Sequence, residues 1–168
     1  VEDVSFTLAE GETLGVVGET GCGKSSLGKA VLQLVKPTAG RVVWQGRDLC
    51  GLPPEELRGV RREMQVIFQD PLSSLNPRMT VGEIVAEPLR VHRPELEEAA
   101  RTAAVEAMFE RVGLRPEMAR RYPGEFSGGQ AQRVSIARAM ILEPRVIVCD
   151  EPVSALDVSI QAQICNLL

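Results

Sequence analysis

Hydrophobic and polar positions along this chain switch repeatedly between strand and helix spacing. Val4-Ser5-Phe6-Thr7-Leu8 alternates apolar and polar, which predicts a strand with one solvated face. After a turn at Glu10-Gly11-Glu12, Thr13-Leu14-Gly15-Val16-Val17 predicts a short buried strand. From Ser25 to Val35 the spacing becomes helical, with Leu27, Ala30, Val31 and Leu34 on one side and Pro37 as the stop. Arg41 to Trp44 reads as a strand turned at Gly46, Pro53 to Glu63 as a short helix, and Met64 to Phe68 as a buried strand.

From Thr80 to Met140 the pattern is mostly helical, most clearly from Glu95 to Val112. Pro94, Glu95, Glu97 and Glu98 suit the start of that helix, and Arg111 and Gly113 its end. Val105, Met108, Phe109 and Val112 form its core stripe, and Glu97 and Arg101 an i, i+4 pair on its solvated face. Arg145 to Cys149 returns to a buried strand and Asp157 to Leu168 to a helix. The expected organisation is an α/β core from residues 1–70 and 141–168, with a helical subdomain inserted at 71–140.

Composition narrows the function classes. Hydrophobic residues make up 44% and charged residues 25% of 168 residues, the balance of a globular chain with a real core. The net charge of −4 argues against a domain built to grip nucleic acid. Cys22, Cys50, Cys149 and Cys165 have no C-x-x-C spacing, and the single histidine, His92, has no cysteine near it; neither a zinc site nor a disulfide framework is expected. No apolar run approaches the ~20 residues that span a bilayer, and no signal peptide is visible. The chain opens on Val1 and stops on Leu167-Leu168 within a helical pattern, so a fragment truncated at both ends is expected.

The glycine-rich segment carries the first chemistry. Gly18-Glu19-Thr20-Gly21-Cys22-Gly23-Lys24-Ser25 fits G-x-x-x-x-G-K-[ST], between an apolar run and a helical pattern. Such a loop curls its N–H groups around anionic oxygens, and side chains would obstruct that approach. The helix that follows adds unpaired N–H groups and the positive end of its dipole. Lys24 supplies a mobile charge for the β- and γ-phosphates, Ser25 a hydroxyl for Mg²⁺, and Ser26 closes the nucleotide-binding set. With only three lysines against 16 arginines, a lysine here is not incidental. Cys22 lies inside the loop, so MgATP is expected to slow its alkylation; equal labelling with and without nucleotide would count against the cradle.

Arg145-Val146-Ile147-Val148-Cys149-Asp150-Glu151-Pro152 is an apolar strand running into two acids. Ligands gather beyond the carboxyl ends of strands in open α/β sheets. Asp150 is therefore the candidate Mg²⁺ acid, and Glu151 the candidate to orient or deprotonate the attacking water. Gln69 follows another strand pattern; its amide could touch metal and water, or it could be a plain turn residue. The reading requires that the lysine-bearing turn and the acid pair meet on one magnesium-bound triphosphate.

A second glycine cluster, Phe126-Ser127-Gly128-Gly129-Gln130, opens a helix with Ser127 as N-cap. Its exposed N–H groups offer a second anion site. Either both sites grip one nucleotide or each completes a site on a neighbour; spacing alone leaves that open.

Together these motifs resemble the ATP-binding subunit of ABC transporters. Gly18–Ser25 looks like its P-loop, Gln69 its Q-loop glutamine, Ser127-Gly128-Gly129-Gln130 its signature, and Ser154-Ala155-Leu156-Asp157 its D-loop. Phe68-Gln69-Asp70-Pro71, Ser74-Leu75-Asn76-Pro77-Arg78-Met79-Thr80 and Asp150 to Gln161 resemble the dipeptide/oligopeptide importers. Phe126 departs from the usual leucine.

The resemblance implies a P-loop NTPase core, ATP and Mg²⁺ as cofactors, and ATP hydrolysis that powers peptide import. It implies a second ATPase subunit, identical or not, whose signature caps this chain's γ-phosphate, with Asp157 communicating between the sites. It also implies transmembrane permease subunits, an extracytoplasmic binding protein acting indirectly, no nucleic acid, and a peripheral place on the cytoplasmic face of the membrane. The family's switch histidine and adenine-stacking aromatic fall outside these 168 residues, and His92 lies in the helical insert. Two other classes are open on the residues alone: a soluble ABC-type ATPase acting on nucleic acid or ribosomes, and a non-catalytic nucleotide-binding module.

Overall fold

The computed structural model describes residues 1–153 and 158–166, which divide into two compact units, Val1–Leu57 and Arg58–Leu168. The expected helix from Asp157 to Leu168 is described only as α7, Val158–Cys165.

In the first unit, residues 1–23 form no helix or strand. The two strands expected at Val4–Leu8 and Thr13–Val17 are therefore corrected. Leu14 and Val16 are exposed, and Val17 is 94% exposed, so Thr13–Val17 is not buried. An apolar run becomes a strand only when a neighbour takes its N–H and C=O groups, and no ladder reaches these residues. Helix α1 spans Lys24–Val31, shorter than expected. Gln33 turns to φ 52 and its side-chain amide donates to Ala30 O at 2.8 Å, leaving Leu34 and Val35 exposed. Strands β1 (Val43–Trp44) and β2 (Arg47–Asp48) pair antiparallel across a turn at Gln45-Gly46. Helix α2, Pro54–Glu63, begins in this unit, with Pro54 in its first turn as a proline prefers. Arg47 and Glu56 form an ion pair.

The second unit is built on two parallel strands, β3 (Met64–Ile67) and β4 (Val146–Cys149). Their register pairs Met64 with Val146 and Ile67 with Cys149. Arg145 N–H donates to Glu63 O at 2.8 Å and Asp150 N–H to Ile67 O at 2.9 Å, so the ladder continues one step past each end. Val146, Ile147 and Val148 are half-buried, less covered than the sequence predicts.

The connection between these strands carries α3 (Pro71–Ser74), α4 (Val81–His92), α5 (Glu98–Arg111) and α6 (Gly128–Met140). Thr80 and Glu83 start α4 with a reciprocal capping box: Glu83 N–H donates to Thr80 Oγ1, and Thr80 N–H to Glu83 Oε2 at 2.7 Å. Those bonds to Thr80 hold the Glu83 carboxyl below its ordinary value. Helix α5 begins at Glu98 because Glu97 is its cap. That start changes the surface pair, and Arg101 meets Glu98 at 2.6 Å instead of Glu97. Gly113, at φ 70, ends the helix in a Schellman turn in which Leu114 N–H donates to Phe109 O at 2.8 Å. The expected stripe Val105, Met108, Phe109 and Val112 is buried with Ile84, Val85, Leu89, Val134 and Ile136 in one core. Among the described residues, no helix is long and apolar enough to cross a membrane.

Candidate functional site

The glycine loop of the first unit is curled by its own lysine. Lys24 Nζ donates to Gly18 O at 2.8 Å and to Glu19 O at 2.9 Å, and Cys22 N–H donates to Glu19 O at 3.3 Å. Gly23 caps α1 at φ 105, a left-handed backbone where a side chain would be strained. A Cβ on Gly18 would fall 2.6 Å from Cys22 Sγ, so the thiol would have to turn aside to admit one. The cap contributes no side-chain hydrogen bond, so the first amides of α1 have no capping side chain. Ser25 is half-buried in the first turn, while Thr20, Gly21 and Ser26 are exposed. This donor set fits a polyphosphate: backbone N–H groups, an ammonium that can exchange two carbonyls for anionic oxygens, and a hydroxyl for its cation.

In the second unit the strand ends bring two of the expected residues together. The last paired residues are Ile67 and Cys149, so Gln69 and Glu151 leave the same edge, each two residues further on. Gln69 Nε2 donates to Glu151 Oε2 at 2.9 Å, although 82 residues separate them. Glu151 sits at φ 49, a left-handed conformation that costs a non-glycine residue roughly 1 kcal/mol. Both residues are exposed, and Asp150 is half-buried. One residue earlier, desolvation pushes the Cys149 thiol up to about 11, with Cys165 as a lesser cause, so it stays protonated at neutral pH. No group of three His, Cys, Asp or Glu side chains that could hold a metal occurs among the described residues. A cation bound here would take few protein ligands and complete its shell from phosphate and water, as Mg²⁺ does.

The Ser127 cap stands as expected. Its hydroxyl accepts from Gln130 N–H at 3.3 Å, and Gln130 Oε1 accepts from Ser127 N–H at 3.0 Å. Gln130 is thus committed to the cap, while a Cβ on Gly128 would meet nothing within 4 Å. Gly128 is exposed and Gly129 half-buried, and both stand at the positive end of a 13-residue helix. Asp157, with Ser154, Ala155 and Leu156, lies outside the described residues. His92 ends α4, its pKa lowered first by burial and then by Arg58 and Arg62.

Two residues that carry no motif join this machinery. Arg133 Nη1 donates to Val112 O at 2.7 Å and fastens α6 to the end of α5. Arg138 Nη1 donates to Ser74 O at 2.6 Å, and its Nη2 to Ser74 Oγ at 3.3 Å. The only sequence signal of Arg138 is a cation set inside the small apolar run Ile136-Ala137-Arg138-Ala139-Met140.

A family model described as ABC transporter matches residues 1–154. The oligopeptide transport ATP-binding protein OppF of Escherichia coli (strain K12) is 61% identical over all 168 residues, which cover 50% of its length. The glutathione import ATP-binding protein GsiA of the same strain is 55% identical, with the whole chain matched and 27% of its own length covered. The chain spans about half or less of the curated relatives it matches. Among solved structures, a dimeric post-hydrolysis state of an ATP-binding cassette bound to ADP and Pi superposes with a TM-score of 0.89 at 32% identity. That likeness covers 96% of this chain and 70% of the other. The fold is that of a P-loop ATPase cassette, as the motifs predict.

Proposed function

This chain belongs to the ABC transporter family, and from that premise we propose that it binds and hydrolyses ATP to drive import of oligopeptides. The observation that carries the reading is the loop Gly18–Ser25, curled at the head of α1 with Lys24 drawn across two of its carbonyls. The names of OppF and GsiA, one an oligopeptide and the other a glutathione transport protein, support short peptides as cargo.

In this reading residues 1–70 and 141–168 form the ATPase core, and 71–140 the helical insert that bears the signature. MgATP, when bound, supplies the phosphoryl group and a divalent cation that neutralises its developing charge. The amides from Gly18 to Ser26, with Glu19, Thr20 and Cys22 among them, wrap the phosphates, and Lys24 gives up its carbonyls to bind them. The Ser25 hydroxyl, Asp150 and Gln69 hold the cation. Glu151 accepts the proton of the attacking water at its carboxylate. Ser127, Gly128, Gly129 and Gln130 cap the nucleotide of a second ATPase subunit, identical or homologous, and Asp157 links the two sites. The remaining partners are transmembrane permease subunits, served by an extracytoplasmic binding protein, which places the chain on the cytoplasmic face of the membrane.

The test is reconstitution of the complete transporter in proteoliposomes with a labelled oligopeptide and its binding protein. Uptake is expected only with ATP, and ATP hydrolysis is expected to rise when the loaded binding protein is added. ATP hydrolysis that ignores peptide would reject the cargo, and the absence of hydrolysis would reject the enzyme.

A further inference from the structure

Gln69 reaches Glu151 from a segment that cannot hold its own shape. Helix α3 has four residues, Pro71–Ser74, and a single turn is not stable by itself. Its internal bonds are local: Asp70 Oδ1 accepts from Ser73 N–H at 3.3 Å, and Ser74 Oγ donates to Pro71 O at 2.8 Å. Burial of Pro71 and Leu75 anchors it to the core, and among the described residues a polar contact from outside the segment comes from Arg138. Its guanidinium donates to the Ser74 carbonyl at 2.6 Å and to the Ser74 hydroxyl at 3.3 Å. That carbonyl is one of the end groups a helix leaves unpaired.

The arginine is placed at a cost. Burial lowers its pKa, and the nearby Glu87 carboxylate on α4 offsets only part of that. A half-buried cation whose acceptors among the described residues both belong to one serine is a poor way to add stability, since an apolar side chain would fill the space without desolvating a charge. It is a good way to fix direction, because the planar fork defines where Ser74 stands relative to α6. Helix α6 begins at Ser127-Gly128-Gly129 and carries Arg138 three turns later, near its other end. Gln69 is thus linked to the signature turn through Ser74, Arg138 and the body of one helix.

We propose that Arg138 is a positioning residue that holds the Gln69 segment on the signature helix, so that the Gln69 amide meets Glu151. The inference rests on the hydrolytic reading above, and the experiment separates the two. In the full protein, Arg138→Gln is expected to lower kcat about tenfold, as loss of one charged buried hydrogen bond would, with the KM for ATP changed less than about twofold. Arg138→Lys, which can reach one acceptor but not fork across two, is expected to fall between Arg138→Gln and wild type. In a Gln69→Ala background, Arg138→Gln is expected to cost less than about twofold more, because the residue acts through a side chain already removed. Factors that simply multiply would overturn the proposal. Amide hydrogen exchange gives a second arm that needs no turnover. Residues 69–75 should exchange about tenfold faster in Arg138→Gln while α5 is unchanged. Unchanged exchange at 69–75 would overturn the strut, whereas a wild-type protein that hydrolyses no ATP would overturn the functional reading and leave the exchange arm to decide this one.

Discussion

Glu151→Gln is expected to leave ATP binding intact and to slow turnover roughly 10²- to 10⁴-fold, the contribution of a positioned general base. The substitution changes charge and almost nothing else. The new side chain has the same length, and its carbonyl oxygen can still accept the Gln69 amide that now reaches Glu151 Oε2 at 2.9 Å. What it loses is the ability to take a proton. The backbone at φ 49 is no harder for glutamine than for glutamate, so the strand end should keep its course. Binding of a fluorescent ATP analogue and steady-state phosphate release, measured on the same preparation, separate the two properties. A variant that turns over within about threefold of wild type would remove Glu151 from the role of base. One that loses both binding and turnover would make it a structural residue.

The contrast between Gln69 and its neighbours shows how much of this molecule is legible in its sequence. The helical middle is legible because caps and stripes are local: Ser127 and Gln130 lie three residues apart, and Val105, Met108 and Phe109 fall on one face within two turns. The glycine loop is legible because glycine suits left-handed positions such as Gly21 at φ 83 and Gly23 at φ 105. The residues after Thr13 fail for the opposite reason. Hydrophobicity marks a segment that could be a strand, but pairing decides whether it is one, and among the described residues no strand pairs with it. Small shifts of a helix start have the same nonlocal flavour, since moving the first turn to Glu98 exchanged one partner of Arg101 for another.

The Gln69–Glu151 bond was beyond reach altogether. Each residue can be nominated from its own strand end, but their meeting depends on the register that sets Ile67 opposite Cys149. A register slip of one residue would point one of the two side chains to the opposite face of the sheet. Arg138 was invisible for a related reason. An arginine near a helix end reads as a solvated cation, and only the packing of α3 against α6 turns it toward Ser74.

Lys24→Ala should abolish detectable hydrolysis and weaken ATP binding by roughly 10- to 100-fold, the equivalent of about 1.5–3 kcal/mol for hydrogen bonds to a charged group. Two losses combine. The first is the ammonium itself, which would face the β- and γ-phosphates as a compact charge. The second is visible without nucleotide: Lys24 Nζ ties Gly18 O and Glu19 O together at 2.8 and 2.9 Å, and alanine releases both. A glycine loop freed of that tie samples more backbone states, so ATP must order it at the moment of binding. Lys24→Arg separates these contributions. The guanidinium keeps the positive charge but is a wider, planar donor, and it cannot place a single nitrogen between two carbonyls in the same way. If charge dominates, Lys24→Arg should bind ATP nearly as wild type does. If loop closure dominates, it should bind as poorly as Lys24→Ala, with Cys22 alkylated at the same rate whether or not MgATP is present. Either result keeps the lysine in the nucleotide site, whereas wild-type affinity in Lys24→Ala would take the phosphates away from this loop.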